Sequence, residues 1–296
     1  MLKKYWLFFA SFVALCSCEK GINFKLNAAS SQLVVDGSIE NGKPPVIVLS
    51  NSLDYFSQIS PSILENSFVH NANVSVSNGV ATQQLKEYSS PGGNTGYTVY
   101  YYTIDSSNLS NAFVGTFNTT YSLQIEVNGQ TYTSKTTITS IAKKIDALQW
   151  QEAPDNPDTT KAILLATITD PPGYGNYTRY YTSVNDSAFF PGLNSVYDDQ
   201  ITDGTTYTVQ VEKGVNRNLT IDLNNYAFFS RGDTVVVKFC NIDKATFDFW
   251  RTMEYNYQSI GNPFSTPTQV LGNISNNALG CFGGYAAQYA TIIIPK

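Results

Sequence analysis

Apolar and polar residues alternate with a period of two along most of this chain. Leu33-Val34-Val35-Asp36-Gly37-Ser38-Ile39 passes through Asn41-Gly42 and Pro44-Pro45 into Val46-Ile47-Val48-Leu49, and Asn73 to Ser77 turns at Asn78-Gly79 into Val80 to Leu85. Such alternation marks strands with one buried face, and Asn-Gly between two of them marks a tight hairpin. Beyond the Pro91-Gly92-Gly93 break, Tyr97 to Ile104, Tyr121 to Val127 and Thr131 to Ile138 continue the series. Six or seven strands in about 110 residues predict an immunoglobulin-like β-sandwich over 32–142. Residues 53–70 interrupt the alternation and predict a long loop or helical turn across one end.

The pattern restarts near Ser140 to Ile145, so a second β-rich, sandwich-like domain is expected over 143–296. Ala162 to Thr169, Tyr177 to Val184, Thr205 to Val211, Leu219 to Leu223 and Thr234 to Cys240 read as strands, with Tyr285 to Ile294 as the last. One segment changes period. From Asp243 to Ser259, Phe247, Trp250, Met253 or Glu254, and Tyr257 recur at steps of three to four, which predicts a helix capped by Asp243 and stopped by Gly261-Asn262-Pro263. The fold class is therefore mainly β, with a single helix near 243–259.

The N-terminus has a different grammar. Lys3 and Lys4 precede an apolar run from Trp6 to Leu15 that is too short to span a bilayer, and the run ends at Leu15-Cys16-Ser17-Cys18. Leu three places before Cys18, with a small residue just before it, forms a lipobox. Residues 1–17 are then a lipoprotein signal peptide, Cys18 is the lipidated residue, and 18–31 is a tether poor in large apolar groups. Loss of the signal removes Lys3 and Lys4 and leaves the chain two units more acidic than its formal −5. An acylated Cys18 places the protein at a membrane by its lipid, without a spanning helix.

Composition narrows the function. With 18 Lys plus Arg against 23 Asp plus Glu, there is no basic footprint for nucleic acid. About a third of the residues are Ser, Thr, Asn or Gln, and 20 Tyr and 17 Phe accompany them, which suits pleated sheets better than helices. His70 is the one histidine, so His-based zinc sites and a Ser-His-Asp triad are hard to assemble, and a hydrogen-bonded loop imidazole is the plainer reading. No cofactor motif occurs. Asp198, Asp199 and Asp203 in VYDDQITDG read as a solvated hairpin, as weak calcium ligands, or as the acid pair of a glycan hydrolase. Cys240 and Cys281 read either as a disulfide or as two buried thiols. Tyr97 to Tyr102 and Tyr177 to Tyr181 put tyrosines on both faces of a strand. Tyr100, Tyr102, Tyr180 and Tyr181 are therefore candidates for a binding surface for protein or glycan, against ordinary cross-strand packing.

Several blocks together carry a family resemblance. Cys18-Glu19, LVVDGSIENGKPPVIVLSNS (33–52), YSLQIEVNGQTYTSKTTI (121–138), GDTVVVKF (232–239), FDFW (247–250) and NPFSTPTQVLGNISNNALGCFGGY (262–285) resemble an uncharacterised Bacteroidetes lipoprotein family known as a domain of unknown function. Cys281 departs from that pattern, where an aromatic is expected. The resemblance implies an outer-membrane lipoprotein, on the periplasmic or cell-surface face, encoded beside a TonB-dependent receptor and working with it. It carries over no catalytic residues. The expected function is that of a non-catalytic binding or accessory partner of the transporter, with a glycan or peptide as ligand. A structural adhesin or pilus-like component is the alternative, and a glycan hydrolase the third reading.

Overall fold

The computed structural model describes residues 31–53, 59–92, 96–154, 156–260, 262, 265–266 and 268–296. The signal segment 1–17 and Cys18 lie outside the described residues. Strands β1 (Leu33–Glu40) and β2 (Val46–Asn51) form the first hairpin, and Gly42 takes the positive φ its turn requires. Helix α1 (Pro61–Ser67) lies in the stretch where the alternation fails; Ser60 caps it and Pro61 opens it. Strands β3 (Asn73–Ser77), β4 (Thr82–Pro91), β5 (Thr98–Ile104), β6 (Thr119–Val127) and β7 (Gln130–Ile138) follow as antiparallel neighbours. Leu33, Val35, Ile39, Ile47, Leu49, Val74, Val76, Leu123, Ile125 and Ile138 close a first apolar core between them.

The second half is also mainly β. Strand β9 (Lys161–Thr169) is flanked on one side by β8 (Lys144–Glu152) and on the other by β12 (Thr206–Val211) and the short β13 (Phe229–Ser230). This small sheet faces β10 (Tyr177–Val184), β11 (Phe190–Tyr197) and β14 (Thr234–Ile242), and a second core built on Leu164, Ala166, Phe229, Val235, Val237 and Phe239 fills the space. Helix α2 (Lys244–Ser259) lies on the opposite face of β10, β11 and the final strand, with Asp243 as its N-cap as the sequence predicts. Leu219 to Leu223, expected as a strand, is instead a run of turns around Asp222 with both leucines exposed.

The last strand departs furthest from expectation. β15 runs from Leu279 to Ile293, six residues further toward the N-terminus than the alternation predicts, and it lies between β14 (antiparallel) and β1 (parallel). It thereby joins all but the small sheet into one eleven-stranded sheet in the order β11-β10-β14-β15-β1-β2-β5-β4-β3-β6-β7. The sheet folds back so that β7 packs on β15. Gly284 makes this approach possible, because a Cβ there would stand 2.8 Å from the Thr137 backbone.

One face of β15 serves both cores: Phe282 and Ala286 enter the first, Ile292 and Ile294 the second. A boundary is expected at 142/143, but the first core also takes Ile274, Ala278, Phe282 and Ala286 from the C-terminal part of the chain. The boundary is not a division of the chain, since 32–296 is one compact unit stitched by β15.

Of the two readings of Cys240 and Cys281, the structure has the buried thiols and not the bridge. Both are free and buried. Cys240 pairs with Ala287 and Cys281 with Asp36, so six residues of extended strand separate the two positions, about 20 Å. A disulfide needs Cα atoms within about 7 Å.

Candidate binding cavity

Alternation along β1 sends Leu33, Val35 and Ile39 into the first core and turns Val34, Asp36, Ser38 and Glu40 to the face on which α2 lies. Between the start of β1, the start of β15, the middle of α2 and the segment 269–278 this face hollows into a cavity of about 910 Å³. Its volume is that of a small-molecule site. Val34, Phe249, Trp250 and Met253 supply apolar wall, and Gln269 and Asn277 supply amides. Asp36 is the single titratable side chain among the described lining residues.

Asp36 is exposed to solvent and lines this cavity. Burial among the walls raises its carboxyl pKa, and the positive charge of Arg179 opposes that rise in part. No described residue donates a hydrogen bond to it. With no hydrogen-bond donor among the described residues, this carboxylate is open to accept from a ligand N–H or O–H.

The wall behind Trp250 is held rigidly. Arg179, buried at 2% exposure, lays its guanidinium over the Trp250 ring at 3.5 Å from the centroid, and over Tyr181 at 4.8 Å. Its Nε donates to Ser195 Oγ at 3.1 Å. Ser195 in turn donates through N to Glu254 Oε2 at 2.9 Å and through Oγ to Glu254 Oε1 at 2.5 Å, and Arg217 Nη2 donates to Glu254 Oε1 at 3.2 Å. On its edge, Trp250 Nε1 donates to the Tyr285 hydroxyl at 2.9 Å. Sequence reasoning named none of Asp36, Arg179, Glu254 or Trp250 as site residues. The available signal was a charge at an alternating position of a strand, as Asp36 and Arg179 are, in a chain where charges are scarce.

The sequence candidates fare differently. Tyr102 and Tyr180 are buried at 2% and 5% exposure, so they are core residues rather than a binding surface. Tyr102 donates to the Val69 carbonyl at 2.9 Å and to Glu87 at 2.9 Å. Tyr181 lies half-buried under Arg179 in the layer below α2. Tyr100 is half-buried against Phe68 and meets His70 edge-on, with centroids 4.5 Å apart. The four share no exposed face. His70 Nδ1 lies 2.5 Å from Glu87 Oε1. Burial acts to raise the Glu87 pKa, but hydrogen bonds from His70, the Asn71 amide and Tyr102 outweigh it and hold the carboxyl below the usual range.

Asp198, Asp199 and Asp203 build turns rather than a cation or acid-pair site. Buried Asp199 accepts from the Asn176 amide at 2.8 Å, Asp203 accepts from the Gly173 amide at 2.6 Å, and Asp198 accepts weakly from the Gln200 amide. Among the described residues no group of three or more His, Cys, Asp or Glu side chains could hold a metal ion. Burial pushes the Cys240 thiol up to about 12 and Cys281 higher still, so neither is poised as a nucleophile. What the cavity can do is bind: one carboxylate accepts, amides orient, and a clamped aromatic ring offers a flat apolar wall.

Residues 19–290 match a family described as a domain of unknown function, DUF4249. No match was found among curated proteins.

Proposed function

Because the chain belongs to the DUF4249 family, and carries a lipobox ahead of the matched region, we propose that it is a lipid-anchored lipoprotein of the outer membrane. In this reading it acts as a non-catalytic binding partner of a TonB-dependent transporter and captures a ligand for uptake. The observation that carries the binding role is the 910 Å³ cavity floored by the unpartnered Asp36 and walled by the clamped Trp250. A single carboxylate there favours recognition over glycoside hydrolysis, which in most glycosidases uses two acids flanking the bond.

The test is affinity purification of the tagged full chain from detergent-solubilised membranes, alongside a Cys18→Ala control. Recovery of a TonB-dependent transporter with the wild type, lost in the control, is the expected result. Recovery of adhesin or pilin subunits without a transporter would overturn the reading in favour of structural assembly.

A further inference from the structure

A second recess lies on the opposite face of the sheet, inside the sandwich of the second half. Its volume is about 260 Å³. On β12, Tyr207, Val209 and Val211 share the inward face, but only Val211 is buried, while Val209 is 37% exposed. The two sheets therefore close at one end of this row and splay at the other. Small side chains account for the gap: Ala166 on β9 and Thr178 on β10 both line it, and both are themselves buried. Ile168, Val237 and Phe239 complete the apolar wall. Tyr180 and Tyr197 stack at 6.3 Å with ring planes 20° apart, and Tyr197 is 45% exposed at the mouth. Gly192 makes room for this arrangement, since a Cβ there would stand 2.0 Å from the Tyr180 hydroxyl.

Interiors normally pack to crystal density, and a void of this size forfeits the contacts its lining could make. An apolar cavity of about 150 Å³ takes a benzene-sized molecule, so this one has room for about two fused rings. Asp198, Thr202 and Tyr207 bring polar groups to the lining. The nearest buried charges are already satisfied: Lys143 Nζ lies 2.9 Å from Asp170 Oδ2, and Asp170 also accepts from Thr202 at 3.0 Å. With the Asp198 carboxylate also lining the recess, no described residue there neutralises an anionic guest.

We propose that this slot is a binding site for a small, flat, neutral aromatic molecule of bicyclic size carrying one hydroxyl. The guest lies between the Tyr180 ring and the Val209–Val211 row, with its hydroxyl toward Thr202 and Tyr207. The site is separate from the Asp36 cavity and stands or falls without it.

Calorimetric titration of the purified chain with 2-naphthol tests it, with 2-naphthoate as the charged counterpart. The expected result is saturable 1:1 binding of 2-naphthol with a dissociation constant of about 0.1 mM or tighter, and at least about tenfold weaker binding of 2-naphthoate. Val209→Trp, which plugs the mouth from a half-exposed position, should weaken 2-naphthol binding by about tenfold or more, and Ala166→Leu should do the same from within. Asp36→Asn should leave it unchanged. Absence of saturable binding up to about 1 mM, or equal binding by wild type and a folded Val209→Trp variant, would overturn the proposal.

Discussion

The two halves of the sheet on either side of β15 are built on the same alternation but filled differently. In the first, Ile39, Ile47, Leu49, Val74, Val76, Tyr121, Leu123, Ile125 and Ile138 are all at or below 1% exposure, and its core is predominantly apolar. The second half buries Lys143 with Asp170, and Arg179 with Ser195 and Glu254; it also carries the helix and the inter-sheet slot. The first half is a frame whose stability comes from burying apolar area. The second accepts the cost of enclosed charge and unfilled space, and such costs collect where a protein positions side chains for a ligand. The Asp36 cavity lies where the two meet. Its carboxylate comes from the frame, and its aromatic wall from the polar half.

The largest test of this contrast is to break one buried ion pair. Lys143 and Asp170 have fully buried side chains, and Lys143 Nζ also donates to the Asp198 carbonyl and to Thr202. Lys143→Ala leaves Asp170 as a lone buried charge and should cost about 3–5 kcal/mol in urea unfolding. The paired replacement Lys143→Met with Asp170→Leu should recover most of that loss. If the single variant costs no more than a surface substitution, the second half is not the charge-burdened region described above.

The next test attacks the joint between the halves. In Gly284→Ala the added methyl would meet the Thr137 carbonyl group at 2.8 Å, against backbone that cannot swing aside, so the expected loss is about 1–3 kcal/mol. Asp243 works at the same joint. Its Oδ1 accepts from the Thr246 amide at 2.9 Å as the helix cap, while Oδ2 accepts from Thr136 Oγ1 at 2.7 Å and the Thr137 amide at 2.8 Å on β7. Asp243→Ala should lower stability by about 1–2 kcal/mol, more than an ordinary cap, because it also unties β7 from α2. A Ser replacement that restores only the cap should recover part of the loss. Thermal or urea unfolding of both variants checks this, and full recovery by Ser would mean that the β7 contacts contribute nothing.

The frame was readable from the sequence because period-two alternation, Asn-Gly turns and the capped helix are local signals. β1, β2, β6, β7 and α2 fall close to where those signals place them. The joint was not readable. The run Leu279-Gly280-Cys281-Phe282-Gly283-Gly284 has the composition of a turn, but here glycine serves close approach: a Cβ on Gly280 would lie 1.9 Å from the Val35 carbonyl oxygen. Only the paired strand explains why those positions must be bare. The tyrosine-rich strands misled for a related reason. A phenol can bury its ring and still satisfy its hydroxyl, as Tyr102 does on Glu87 and Val69, so abundance of tyrosine does not predict exposure. Asp36 was visible as a charge in a strand, but its isolation depends on α2 and segment 269–278, which arrive from more than 200 residues away.

The smallest effect in stability is the most informative about the site. Burial raises the Asp36 carboxyl, with Arg179 opposing, whereas for Glu40 burial is outweighed by hydrogen bonds from Lys238, Lys43 and Tyr289 that lower it. The two contribute with opposite sign. Asp36 favours the folded state when protonated, so its contribution is complete below the ordinary carboxylate range of about 4 and fades as pH rises through its raised value. Glu40 contributes above that range and loses its contribution as pH falls through its lowered value. Asp36→Asn should therefore be as stable as wild type or more so at pH 7, with the difference shrinking toward pH 4, while Glu40→Gln should be less stable at pH 7 and converge with wild type in acid. Denaturation midpoints measured from pH 3 to 8 distinguish the two. If Asp36→Asn instead loses stability at neutral pH, the carboxylate has a partner within the fold, and its claim to await a ligand fails.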